Sequence, residues 1–300
     1  MSAALDAQNL GKRYGRHWAL RDCALELPAG RVAALVGPNG AGKTTLLQLA
    51  VGLIPPSAGH IEVFGLSPRR QPKEVLPRVG FVAQDQPLYR RFSVADMLTL
   101  GRKLNPRWDD DLARARLARL GLPIDRAVGT LSGGQKSQVA LVMALAKRPD
   151  LLLLDEPVAS LDPLARREFL SALMEAAAGE GLTVLLSSHI IADLERVCDY
   201  LVILSASRVQ LAGDIDELVA THKLLVGPRQ DPAAVAHVHN VLQATHTERQ
   251  TTLLVRANGH MWDPSWEVHD VSLEDIVLAY LRQATERPVI LERGGEEVPA

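Results

Sequence analysis

Eight residues, Gly37-Pro38-Asn39-Gly40-Ala41-Gly42-Lys43-Thr44, constrain this 300-residue chain more than any others. They fit the pattern G-x-x-x-x-G-K-T, and they stand in the context that pattern needs. Val32–Val36 ahead of them is a short apolar run of strand length, and Lys43–Val51 behind them carries apolar residues at helical spacing without a breaker. Glycine lets the backbone turn tightly enough for its N–H groups to point inward, and the helix start adds the positive end of its dipole. Such a cradle suits a row of phosphates. Lys43 supplies a point charge to the outer phosphates, and Thr44 a hydroxyl for Mg²⁺. The bland alternative is an ordinary glycine-rich turn. The loop by itself says nucleoside triphosphate, and not which machine.

Further along, Val79–Val82 reads as a strand and Ser93–Leu122 as helical. Ser93 is placed as an N-cap with Asp96 three residues on. Asp109–Asp111 opens a second helix through Leu120, which Gly121 and Pro123 end. Ser132–Ala146 reads as a helix entered through two glycines, and Pro163–Ala178 as another. Leu151–Leu154, Thr183–Ser187 and Tyr200–Leu204 are strands. Strands alternating with helices predict a mostly parallel sheet covered on both faces. A boundary falls near Thr221. Beyond it Pro232–Ala244 reads as a helix, Thr251–Arg256 as a strand, Leu273–Ala284 as a helix, and the tail Glu292–Ala300 as frayed.

The apolar strand Leu151–Leu154 ends in two acids, Asp155 and Glu156. The carboxyl end of a sheet strand is where such a fold meets its ligand. Asp155 would hold the magnesium through water, and Glu156 would polarise the attacking water. Two acids capping a strand in solvent are the alternative.

Leu131-Ser132-Gly133-Gly134-Gln135 places a serine and two glycines at a helix start, a second terminus able to hold an anion. Alone it would be a capped helix in any protein. Together with the phosphate loop and Leu151–Pro157, over roughly residues 5–220, it resembles the ABC transporter ATPase family. That resemblance implies a P-loop NTPase core of α/β class: a mostly parallel sheet, an antiparallel β subdomain and a helical subdomain at about residues 85–147. Residues 1–221 would form the ATPase domain and 222–300 a small α+β appendage.

The resemblance also implies roles. ATP and Mg²⁺ would be held by Tyr14 and Gly37–Thr45, including Thr45, with the Ser132–Gln135 tip of a partner chain closing over the nucleotide. Gln84 resembles the glutamine that senses magnesium and faces the membrane partner. Asp162 resembles the aspartate that couples two sites, or it caps the helix after it. His189 resembles the switch histidine at the γ-phosphate, or it is a surface histidine. Tyr14 resembles the aromatic that stacks on adenine, with Trp18 a rival. Lys43, Gln84, Glu156 and His189 would be catalytic; Thr44, Gln84 and Asp155 would attend the metal. The implied partners are transmembrane permease subunits and a second ATPase chain, identical or related, at the cytoplasmic face of the membrane. The chain departs from the family pattern at Ala83, at Val158 and at Lys136-Ser137-Gln138. Arg107-Trp108-Asp109, Gly121-Leu122-Pro123 and Ser272–Ile276 resemble exporter-type members, so export is expected.

The formal net charge of −2 gives no basic field for nucleic acid. This and the single set of motifs count against a translation factor, and the absence of a sustained heptad run counts against a DNA-maintenance ATPase. No run approaches the ~18 apolar residues of a membrane span, and Met1–Gln8 does not read as a signal peptide. Cys23 and Cys198 read as reduced thiols. His237, His239 and His246 read as surface histidines, with a metal site as the alternative. Arg114, Arg116 and Arg119 read as a solvated helix flank, with a permease contact as the alternative.

Overall fold

Strands whose residues are apolar on both faces need cover on both sides, and that requirement organises the molecule. The computed structural model describes residues 3–159, 161–229, 239–257 and 264–286. The chain opens with the hairpin β1 (Ala3–Tyr14) and β2 (His17–Pro28), followed by β3 (Val32–Val36), α1 (Lys43–Ala50) and β4 (Ala58–Val63). A short α2 (Pro72–Val75) leads to β5 (Val79–Val82). Three helices follow: α3 (Val94–Leu104), α4 (Asp110–Arg119) and α5 (Gly133–Leu145). Then come β6 (Leu151–Asp155), α6 (Pro163–Glu180), β7 (Thr183–Ser188), the one-turn α7 (Ile191–Leu194), β8 (Tyr200–Ser205), β9 (Arg208–Asp214) and α8 (Ile215–Thr221). The C-terminal segment holds β10 (His222–Pro228), β11 (Asn240–His246), β12 (Gln250–Arg256), β13 (Glu267–Asp270) and α9 (Leu273–Glu286).

The central sheet runs β5-β6-β7-β3-β8-β9, with only β9 antiparallel to its neighbour. Successive side chains point to opposite faces, so Leu152 and Leu154 pack with Leu141, Phe169 and Leu173 from α5 and α6. Leu151 and Leu153 pack on the other face with Leu46, Leu47 and Leu49 of α1. A three-stranded antiparallel sheet, β2-β1-β4, closes that second face.

α3, α4 and α5 share a separate core around Val94, Leu98, Leu117 and Val139. The residues that resemble an exporter motif brace this layer. Asp109 caps α4 by accepting from Leu112 N–H at 2.8 Å and takes Arg148 Nη2 at 2.7 Å. The backbone N–H of Leu112 and the Arg148 guanidinium hold its carboxyl below the usual range. Arg107 pairs with Asp150 at 3.1 Å. Arg114 and Arg119 lie exposed on the α4 flank, as expected of a solvated helix face, and Arg116 is half-buried. Arg114 pairs within its helix with Asp110, while Arg116 donates to Ala172 O and Arg119 pairs with Glu175, both on α6. The α4 flank lies close enough to α6 for long side chains to bridge them.

The C-terminal strands form an antiparallel sheet in the order β11-β12-β10-β13. Asn240–Ala244, expected as the end of a helix, lies in β11, and residues 232–238 and the tail 292–300 lie outside the described residues. Pairing with β12 gives one edge of β11 its backbone hydrogen bonds and overrides the helical pattern of its residues. α9 buries Leu273, Ile276, Val277 and Tyr280 in the same core as Leu201 and Leu211 of the central sheet. His222 is fully buried at this junction. Its Nδ1–H donates to Leu218 O at 2.7 Å, leaving Nε2 to accept from Tyr280 Oη–H at 3.2 Å. His239 is buried rather than on the surface, His246 meets Thr251 Oγ1 at 3.0 Å, and His237 lies outside the described residues. Among the described residues no group of three or more His, Cys, Asp or Glu is placed to hold a metal ion. Cys23 and Cys198 are free, and burial pushes the Cys198 thiol up to about 12. No described helix is long and apolar enough to cross a membrane.

Candidate functional site

The site grows from the end of β3. A side chain at Gly37 would collide with the backbone carbonyl of Leu204 on β8, so only glycine lets the strand leave the sheet there. Gly42 has φ +109°, and a Cβ on it would lie 2.5 Å from Ala19 O. Both positions demand glycine for geometric reasons. Gly42 is the N-cap of α1 and offers no side-chain cap, so the first-turn N–H groups face the loop without a protein partner from the cap. Lys43 is buried, with 5% of its side chain exposed. Its Nζ donates to Gly37 O at 2.8 Å and to Pro38 O at 3.3 Å, and lies 3.3 Å from Glu156 Oε1. Thr44 is exposed and Thr45 half-buried on the first turn.

Strand register brings the acids to the same edge. Val36 of β3 pairs with Ser188 of β7, and Asp155 of β6 pairs with Ser187. β7 therefore lies between the loop-bearing strand and the acid-bearing strand, and all three end together. Ser187 joins the two acids: its hydroxyl donates to Asp155 Oδ1 at 3.0 Å and accepts from Glu156 N–H at 2.8 Å. Glu156 has φ +44°, which turns its carboxylate back over the edge. One carboxylate oxygen meets Lys43, and the other lies 3.3 Å from His189 Nδ1. Ser187 is fully buried, and replacing it with alanine leaves a buried carboxylate oxygen and an amide without this partner. Ser187→Ala is expected to cost about 1–3 kcal/mol of stability, read as a lowered urea midpoint with unchanged slope.

Gln84 is exposed on the turn after β5, which Gln86 N–H closes onto Ala83 O at 3.0 Å. Ser132 is the N-cap of α5, in a capping box with Gln135: Gln135 N–H donates to Ser132 Oγ at 3.2 Å, and Ser132 N–H to Gln135 Oε1 at 3.0 Å. A Cβ on Gly133 would meet nothing within 4 Å, whereas one on Gly134 would press Ala165 of α6 at 3.1 Å. Asp162 caps α6, accepting from Leu164 and Ala165 N–H at 3.0 Å. It thus takes the capping role given as one of its alternatives, and Ser160 beside it lies outside the described residues. The Ser132 tip and Asp162 line one groove of about 270 Å³. Tyr14 stands at the tip of the β1–β2 hairpin, 48% exposed, with Lys12 Nζ 5.2 Å from its ring centre. Its rival Trp18 is half-buried under Arg13.

Two clusters result. Lys43, Asp155, Glu156 and His189 converge at the sheet edge, and Ser132–Gln135 shares a groove with Asp162. Among the described residues no hydrogen bond or ion pair joins the Ser132 tip to the Gly37–Thr45 loop. Sequence reasoning missed Ser187 as the link between the acids. Its signal was present: Ser187 and Ser188 are polar where the rest of β7 after Thr183 is apolar. Strand register puts Asp155 at the edge where β3 hands over to the loop that Thr44 ends, and both offer only oxygen donors, the chemistry a hard divalent cation such as Mg²⁺ takes.

Comparison with known proteins agrees with this geometry. Residues 20–159 match the sequence profile described as ABC transporter. A nickel import ATP-binding protein of Rhodobacter capsulatus is 40% identical over 75% of this chain and 94% of its own length. A molybdenum import ATP-binding protein of the same species is 36% identical over 71% of this chain, which spans 60% of that protein's length. A Nod factor export ATP-binding protein of Cupriavidus metallidurans is 37% identical over 73% of this chain and 74% of its own. Among solved structures, an ATP-binding subunit of an ABC transporter superposes with TM-score 0.65 at 30% identity, covering 72% of this chain and 92% of that one.

Proposed function

The chain belongs to the ABC transporter family of ATP-binding subunits, and from that premise we propose that it binds and hydrolyses ATP as one of two chains that complete each other's sites. The observation that supports this most directly is the convergence of Lys43, Glu156 and His189 beside the uncapped start of α1. ATP enters the Gly37–Thr45 loop with its phosphates against the α1 amides and its base against Tyr14. Lys43 moves from its own loop carbonyls to the outer phosphates. Glu156, released from Lys43, orients the attacking water, and His189 meets the γ-phosphate. Thr44 and Asp155 would hold Mg²⁺, with Gln84 as its sensor, and the ion would neutralise charge on the phosphates. The Ser132 tip of the second chain, identical or related, closes over the nucleotide.

The work goes to a membrane partner. Tyr89 and Phe92, just after Gln84, are both exposed and stack at 5.1 Å. Exposed aromatic surface next to the magnesium-sensing turn suits a permease contact at the cytoplasmic face. Of the named relatives two carry import in their names and one carries export, so their names do not favour the expected export. The motif Ser272–Ile276 that suggested export is a helix cap: Ser272 Oγ accepts from Asp275 N–H at 3.1 Å. Detergent-solubilised membranes are the test of partnership. The tagged chain is expected to retain an integral membrane protein, and Tyr89→Glu/Phe92→Glu to release it with ATP binding intact. Retention by the double variant would remove that surface from the contact.

A further inference from the structure

A hydrogen-bonded chain ties the Gln84 turn to the Ser132 helix tip, and we propose that Gln86 is the positioning residue that transmits movement of the one to the other. The inference rests on the two-chain ATPase reading above. Gln84 and Asp85 form the crest of the turn that Gln86 closes. Gln86 itself has φ +44°, a left-handed backbone that a non-glycine residue keeps only where its surroundings hold it. Its backbone bonds to Ala83 and Leu88 hold it, together with its side chain. Gln86 Nε2–H donates to Ser137 Oγ at 2.6 Å. Ser137 is fully buried, and its hydroxyl passes the connection on to Gly133 O at 3.2 Å.

Ser137 stands one helical turn below Gly133, so the link reaches the first residue after the Ser132 cap. The capping box of Ser132 with Gln135 and the approach of Gly134 to Ala165 fix the tip locally, and the Gln86 link is what reaches it from the Gln84 turn. Gly133 has no side chain, and the space where one would lie is open. The stretch Lys136-Ser137-Gln138 departs from the more arginine-rich run of the family, and the structure gives that departure a use: a small hydroxyl fits under the turn and both accepts and donates. The route runs from the Gln84 crest through the Gln86 side chain and Ser137 to the Gly133 carbonyl. A shift of Gln84, whether driven by magnesium or by the permease, pulls the tip that serves the partner's nucleotide. Each chain's own phosphate loop lies outside this route.

The two ends therefore respond differently to its loss. In the full-length chain, with ATP as the probe, Gln86→Ala is expected to lower kcat about tenfold while the nucleotide Kd stays within about twofold, the scale of one buried hydrogen bond. Ser137→Ala should match it, the double variant should be no worse than either single, and Ser137→Thr should restore turnover. A double variant down about a hundredfold would mean independent effects and overturn the tether. So would a loss of ATP affinity in step with kcat. If the unaltered chain hydrolyses no ATP, the ATPase reading fails on its own, and amide hydrogen exchange decides the tether. Gln86→Ala is expected to speed exchange across residues 132–137, and unchanged protection there would refute the link.

Discussion

Replacing Glu156 with glutamine is expected to lower ATP turnover by about two to four orders of magnitude, the usual worth of a positioned general base. The amide keeps the volume and the left-handed turn of Glu156 but cannot draw a proton from water. Both carboxylate oxygens have partners, Lys43 at 3.3 Å and His189 at 3.3 Å. A triphosphate in the loop would compete for Lys43, and on the proposed mechanism its arrival would release the base. The variant should therefore bind ATP normally and stall after closure. Phosphate release measures the rate, and gel filtration with and without ATP measures the pair, which should persist with ATP alone. Wild-type turnover in Glu156→Gln would remove this residue from the role.

The second large effect is a complementation. Lys43→Ala removes the buried ammonium from the loop, and Ser132→Arg puts a bulky side chain on the helix tip that would close over a partner's nucleotide. Each variant alone is expected to lose nearly all turnover. Mixed, they form some pairs in which an intact loop of the Ser132→Arg chain meets an intact tip of the Lys43→Ala chain. Activity should return in proportion to those mixed pairs. The expectation follows from the two clusters, which no hydrogen bond or ion pair joins among the described residues of one chain. A mixture as dead as its components, with pairing verified by crosslinking, would mean that each chain acts alone. Because Lys43 also pairs with Glu156, the folded state of Lys43→Ala is checked by circular dichroism.

Much of the site could be read along the chain because its motifs are local. A phosphate cradle needs glycines at fixed offsets between a strand and a helix, and Gly37 and Gly42 satisfy constraints that any sequence reader can anticipate. Helix caps are local as well: Ser93, Asp109, Ser132 and Asp162 all cap as their spacing predicts. Gln86 was not legible, and Ser187 showed only as a polar position in an apolar strand, since each acts across a gap in sequence. Ser187 meets Asp155 because β6 and β7 are neighbours in register, and Gln86 meets Ser137 because the turn after β5 packs over α5. Neither pairing leaves a periodic trace.

The same divide explains the errors. β11 was expected to be helical because its residues tolerate a helix, and strand pairing is chosen by the partner strand. The contacts that Arg116 and Arg119 make with α6 were not foreseen, because a helix flank does not reveal what packs beside it. Composition and short-range spacing sufficed for the strand–loop–helix cradle, the acid-tipped strand and the serine-led helix, since each is built from contiguous residues with strong backbone preferences. Sheet order, the meeting of Lys43, Glu156 and His189 at one edge, and the thread from Gln86 to Gly133 depend on which distant segments bury their apolar faces together. That choice belongs to the packed core, where long-range burial outweighs local preference.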